Sequence, residues 1–276
     1  MLRALGLGAG LLCLAGFARL QTRRDHPLVP PELFSRPERV APYAAGMIMG
    51  TTIFGVDTFV PLFVQGARGG TAVAAGAVVT PVVLAWSISA ALAARAVLVF
   101  GFRRTARAGA GLILLGFAGL LAAAVFEAGI PWISVACAVI GSGLGPTGMV
   151  QVLGIQQTAP ESQRGVATSL VPFFRAVGGT LGVGALGGIL AAGLAERLGK
   201  AAEAAGELLS GRTRYAAAAG LDPHAVGQAI EASLLPVFAT LLALAAVNLW
   251  VASLYAAADP WRPASGGLPQ EGEGEA

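Results

Sequence analysis

GSGLGPTGMVQVLGIQQTAPESQRGVATSLVPFFRAVGGTLGVGALGGILAAG, residues 141–193, is two apolar runs joined by the polar turn 158–165, TAPESQRG. The first run carries a glycine–proline motif, Gly141, Gly143, Gly145 and Pro146. The second holds a lone arginine, Arg175, ahead of a ladder of small residues. An arginine at the centre of a bilayer helix costs about 2.5–3.5 kcal/mol on insertion scales, so it faces protein or a wet cavity. Glycines four apart, Gly178 with Gly182 and Gly184 with Gly188, allow close helix–helix contact. The stretch therefore predicts two packed membrane helices.

Composition extends that reading to the whole chain. Of its 276 residues 55% are hydrophobic and 12% charged, with a mean hydropathy of +0.73. A soluble domain carries about 25% charged residues. The net charge of +3 comes from arginines clustered between apolar runs, which suits membrane orientation and not nucleic-acid binding. Cys13 and Cys137 lie in different apolar runs with no pairing pattern and read as buried small hydrophobes.

Seven runs are long enough to span, at about 20 residues and 1.5 Å each: 2–18, 41–65, 73–94, 108–126, 132–153, 166–194 and 234–256. The expected fold is an all-α integral membrane protein. The first run lacks a small-residue cleavage site, so it reads as a spanning helix, and its abrupt start suggests a segment missing upstream. Residues 19–39 are an arginine-rich connector that Pro27, Pro30 and Pro31 keep extended. Residues 195–233 read as a long outer loop, helical to about Leu209, and 257–276 as a disordered acidic tail. Three parts follow: linker helix and connector (1–40), six-helix domain (41–256) and tail. Arg19, Arg23, Arg24, Arg36, Arg39, Arg95, Arg103, Arg104, Arg107, Arg164 and Arg262 fall on one side by alternation, against Arg68 in the short loops opposite. The positive-inside rule puts that richer side, with the C-terminus, in the cytoplasm.

With the spans placed, the chain resembles the C-terminal half of a fourteen-helix drug:proton antiporter of the major facilitator superfamily, the EmrB/QacA type. The match rests on HPLVPPELFSRPERVAPYAAG (26–46), VDTFVPLFVQGARGGTAVAAGAVVTPVVL (56–84), GSGLGP (141–146) and QRGVATSLVPFFRAVGGTLGVG (163–184). It implies a linker helix plus a C-terminal six-helix bundle, with the amino-terminal half absent. It also implies export of small lipophilic or cationic compounds in exchange for protons, across a bacterial inner membrane. ARAVLVFGFRR (94–104) departs from the family's loop, since Leu98 and Val99 stand where charged residues are expected. The expected partners are the bilayer, a drug-like substrate and the missing half. No cofactor or metal is expected, the proton gradient being the driving force.

Asp57 lies deep in the second run, where an ionised carboxylate needs a partner or water. It is the candidate proton-coupling or cation-binding residue, on depth alone. Arg175, which matches a family position, is the candidate gating or charge partner. The run 141–146 is the candidate hinge, and Gly178, Gly182, Gly184 and Gly188 the candidate packing residues. Phe54, Phe59, Phe63, Trp86, Phe173 and Phe174 could line a greasy site, and Gln151 could face a cavity. Arg68 and Arg95 read as anchors, while Glu127 and His224 read as solvated. A nucleotide-binding reading of the glycine run fails because no strand precedes it, and no enzyme motif is present. A rival class is a non-transporting membrane remnant or assembly subunit.

Overall fold

Apolar side chains on every face of a helix leave water for lipid, and only helices satisfy their own backbone there. The computed structural model describes residues 16, 19, 30–198 and 223–255. Within them lie six helices long and apolar enough to cross a membrane. They are α1 (Pro37–Leu62), α2 (Ala72–Phe100), α3 (Phe102–Val125), α4 (Ile130–Thr158), α5 (Arg164–Leu198) and α6 (Pro223–Val251). A wide π turn, Phe63–Ala67, continues α1, and 3-10 turns precede α1 (Pro31–Phe34) and α5 (Glu161–Gln163). The expected span 2–18 apart from Gly16, the tail 257–276, Cys13 and the loop centre 199–222 lie outside the described residues.

Several boundaries move. The connector becomes helical at Pro37, where a proline at the first helical position leaves no donor unused. The segment expected as a loop at 94–104 is a single residue, Gly101, between α2 and α3. Its φ of 79° is open to glycine at little cost. The outer loop shrinks most. The helix α5 runs to Leu198 and α6 starts at Pro223, so Ser233 and Glu231 are helical and not in a loop. Average hydropathy hides this start because Gln228 and Glu231 dilute it. The buried residues Val226, Ala229, Ile230, Ser233, Leu234, Val237, Phe238 and Leu241 nonetheless follow helical spacing. His224 sits in the first turn of α6.

Glycines set the packing. The helix α4 is wedged between α2 and α3. A side chain at Gly141 would overlap the Val82 carbonyl, one at Gly145 would overlap Ser89 and Ala90, and one at Gly143 would overlap Gly109 and Ile113. In the same way α1 lies backbone to backbone on α5, with Gly50 against Arg175 and Gly178 against Met47. The Thr51 hydroxyl donates across this seam to the Gly178 carbonyl at 2.8 Å. Transmembrane hydrogen bonds average about 0.6 kcal/mol, so Thr51→Val should destabilise the bundle by about that amount, measured by unfolding in detergent. A loss above about 2 kcal/mol would mean that the hydroxyl does more than bridge this seam.

The helix ends on the arginine-rich side are tied by side chains. Arg39 Nε donates to the Thr158 carbonyl at 2.9 Å and Arg103 Nε to the Tyr255 carbonyl at 2.7 Å. Phe34, Tyr43, Phe173 and Phe174 form one aromatic cluster with centroids 5.3–6.2 Å apart, clamping the connector turn onto α1 and α5. Two of the arginines clustered between the apolar runs thus fasten the bundle.

Candidate functional site

Asp57 lies about three turns before the end of the π turn, on a face of α1 shared with Phe54 and Thr58 at helical spacing. All three are exposed. Asp57 has no hydrogen-bond or ion-pair partner among the described residues. The Phe54 ring covers Gly179 of α5, where a side chain would collide with it. An acid, a hydroxyl and an aromatic ring therefore share one open face of α1. Such a face can bind a cation or carry a proton.

Arg175 does not meet Asp57. Gly50, against the Arg175 backbone, lies two turns before Asp57, a separation of about 10 Å along α1. The half-buried Arg175 turns instead to α4, and its Nη2 donates to Gln151 Oε1 at 3.0 Å. Gln151 is fully buried, so it lies in the bundle and not on an open cavity wall.

The remaining expectations divide. Gly178 and Gly182 pack on α1, at Met47 and Thr51. Gly184 and Gly188 meet no neighbour among the described residues: a side chain at either would find nothing within 4 Å. Four-residue spacing cannot tell which helix face meets a partner. The hinge candidates Gly141, Gly143 and Gly145 are all occupied by contacts to α2 and α3, and α4 runs unbroken through Pro146. Phe59 and Phe63 are buried in the core and cannot line a site, whereas Phe54 and Phe173 are exposed and Trp86 and Phe174 half-buried. Glu127 is exposed at the α3–α4 turn with φ 52°, and Arg95 is exposed on α2.

Arg68 is more than an anchor. Its Nη2 lies 2.8 Å from Glu231 Oε1 and donates to the Ala123 carbonyl at 3.0 Å, and the guanidinium stands 5.1 Å over the Phe63 ring. One side chain thus ties α1, α3 and α6 at one end of the bundle. Glu231 was hidden by its place in the expected loop; its signal was the helical spacing around it. Separately, an apolar cavity of about 320 Å³ opens between α1, α5 and α6, lined among others by Met47, Leu181, Ala185 and Leu244. Asp57 and Arg175 are not among its lining residues.

Comparison with known proteins agrees with the fold. The profile of the Major Facilitator Superfamily matches residues 3–183. The chain is 29% identical over 187 residues to "Multidrug transporter protein MdtP" of Bacillus subtilis, covering 67% of this chain and 34% of that protein. It is 32% identical over 181 residues to "Tetracycline resistance determinant" of Streptomyces rimosus, covering 64% and 51%. With "Tetracenomycin C resistance and export protein" of Streptomyces glaucescens it shares 30% over 197 residues, covering 69% and 35%. The matched part spans about a third to a half of these relatives. Six apolar helices without a strand among the described residues, and a family profile across most of them, lead to one statement: this chain is a membrane protein that belongs to the Major Facilitator Superfamily, a family of transporters.

Proposed function

We propose that this chain is one six-helix half of a secondary exporter that moves small lipophilic or cationic compounds out of the cell in exchange for protons. Facilitator-type carriers hold substrate near the bilayer midplane between two repeated halves and rock around it. The observation that carries the proposal is Asp57, an exposed carboxylate with no partner among the described residues, beside Phe54 and Thr58 on α1. Such a group can take a proton from one side and yield it when a cationic compound displaces it. The relatives' names, a multidrug transporter and two antibiotic-resistance proteins, favour drug-like substrates. The faces of α2 and α5, the least buried of the six at 17% and 28%, offer surface to an amino-terminal half, in one longer chain or a separate one. The arginine distribution supports a cytoplasmic C-terminus, and the bacterial relatives favour a bacterial inner-membrane location.

The test is Asp57→Asn in the complete assembly, followed by efflux of a fluorescent lipophilic cation under an imposed proton gradient. A tenfold or greater loss of proton-driven efflux is expected, with normal membrane abundance. Unaltered proton-driven efflux in the variant would remove Asp57 from coupling.

A further inference from the structure

We propose that the groove between α1 and α6 seats an anionic phospholipid, its phosphate at Arg36 and one acyl chain running inward along the seam. A cavity of about 500 Å³ lies where the connector turn meets the start of α1 and the end of α6. Pockets that hold small ligands measure about 300–1,000 Å³. One charged side chain, Arg36, lines this cavity, together with Trp250 and a floor that includes Val40, Ala44 and Val251. The apolar cavity of about 320 Å³ described above continues it. Val40 and Ala44 line the first cavity, and Met47, Ile48 and Thr51 the second. Their spacing of i, i+4, i+7, i+8 and i+11 places all five on one face of α1. On α6 the wall passes from Val251 and Trp250 to Leu244 and Thr240. From Val40 to Thr51 the groove runs about 16 Å, roughly half the thickness of the hydrocarbon layer. It is the length of one leaflet.

Free polar groups are confined to one end. In the deep part the Thr51 hydroxyl donates to the Gly178 carbonyl and the Thr240 hydroxyl to the Pro236 carbonyl, each at 2.8 Å. At the rim Ser35 is likewise engaged, donating to the Glu32 carbonyl at 2.7 Å. The Arg36 guanidinium and the Trp250 indole N–H have no partner among the described residues. Glu38, two residues beyond Arg36, is not among the lining residues. An occupant must therefore be anionic at one end and hydrocarbon beyond it. Arg36 repels a cationic drug, and a wholly apolar helix leaves the guanidinium unpaired. A phospholipid of the surrounding bilayer meets both demands. Guanidinium groups pair with phosphate oxygens, and tryptophans sit at the headgroup level of membranes.

The probe is phosphatidylglycerol against phosphatidylcholine with the same acyl chains. Each is titrated into the purified full chain in detergent, and bound lipid is counted by native mass spectrometry. The expected result is one retained phosphatidylglycerol, preferred about fivefold or more, the effect of one basic residue at an anionic surface. Arg36→Gln should lose that preference. Arg95→Gln, the same change at an exposed arginine of α2, should keep it. Ala44→Phe, which fills the seam, should lower retention of both lipids. Arg36 is exposed, so its replacement spares the fold and keeps the test decisive if Ala44→Phe does not fold. Equal retention of the two lipids by the unsubstituted chain would overturn the proposal, as would a preference that persists in Arg36→Gln. Equal loss in Arg95→Gln would overturn it too, by showing a diffuse charge effect. The chain's own acidic segment, with Asp259, Glu271, Glu273 and Glu275, is the competing occupant. A preference seen only when residues 257–276 are removed would assign the groove to that segment and sink the lipid site.

Discussion

Gly50→Val leaves little or no folded bundle. A Cβ at this position would overlap the Arg175 carbonyl and crowd the Gly179 nitrogen, and both are backbone atoms that no rotamer change can move. The helices α1 and α5 would have to part. Their separation would break the Thr51 bond to Gly178 and lift Phe54 from Gly179. Overpacking typically costs about 1–3 kcal/mol where side chains can yield. Here they cannot, so the expected loss exceeds about 3 kcal/mol, read as a sharp fall in the monodisperse peak after detergent extraction. Gly184→Val is the control, since a side chain there would meet nothing within 4 Å. It should extract like the parent protein. Equal behaviour of the two variants would show that the α1–α5 seam does not hold the bundle.

Arg68→Ala is expected to rank second. It strands Glu231, whose side chain is 16% exposed, and removes a bond to the Ala123 carbonyl and a cation–π contact with Phe63. Breaking a buried pair costs about 3–5 kcal/mol because one charge is left behind, and partial exposure places this pair near the lower end. Adding Glu231→Ala to Arg68→Ala should restore part of the loss, since the stranded charge is then gone. Double-mutant analysis of denaturant unfolding in detergent reads the coupling, expected on the order of 2 kcal/mol. Additive effects of the two substitutions would mean that the ion pair contributes nothing to the three-helix tie.

The helical class and the six described spans were legible because a bilayer-length apolar run can satisfy its backbone in lipid only as a helix or within a closed barrel, and a barrel strand is far shorter. Ends were less so. The start of α6 escaped average hydropathy, since Glu231 reads as polar until its partner Arg68 is known. Roles of the small residues were the hardest to read. Gly178 and Gly184 stand in the same ladder, yet among the described residues only the first meets a neighbour. The difference lies in which side of α5 faces α1, about which spacing along one helix is silent.

What the sequence alone determined is the membrane, the all-helical fold and the family resemblance, and its arginines add an expected orientation. Each follows from local quantities: hydropathy over a span, charge in a loop, residues at fixed spacing. The tertiary structure decided pairing. It sent Arg175 to Gln151 and not to Asp57, and turned Arg68 from an anchor into a three-helix tie. It also filled the expected hinge glycines with neighbouring backbone. Contacts between residues as distant in sequence as Arg68 and Glu231 depend on how helices rotate and cross, which no single helix encodes.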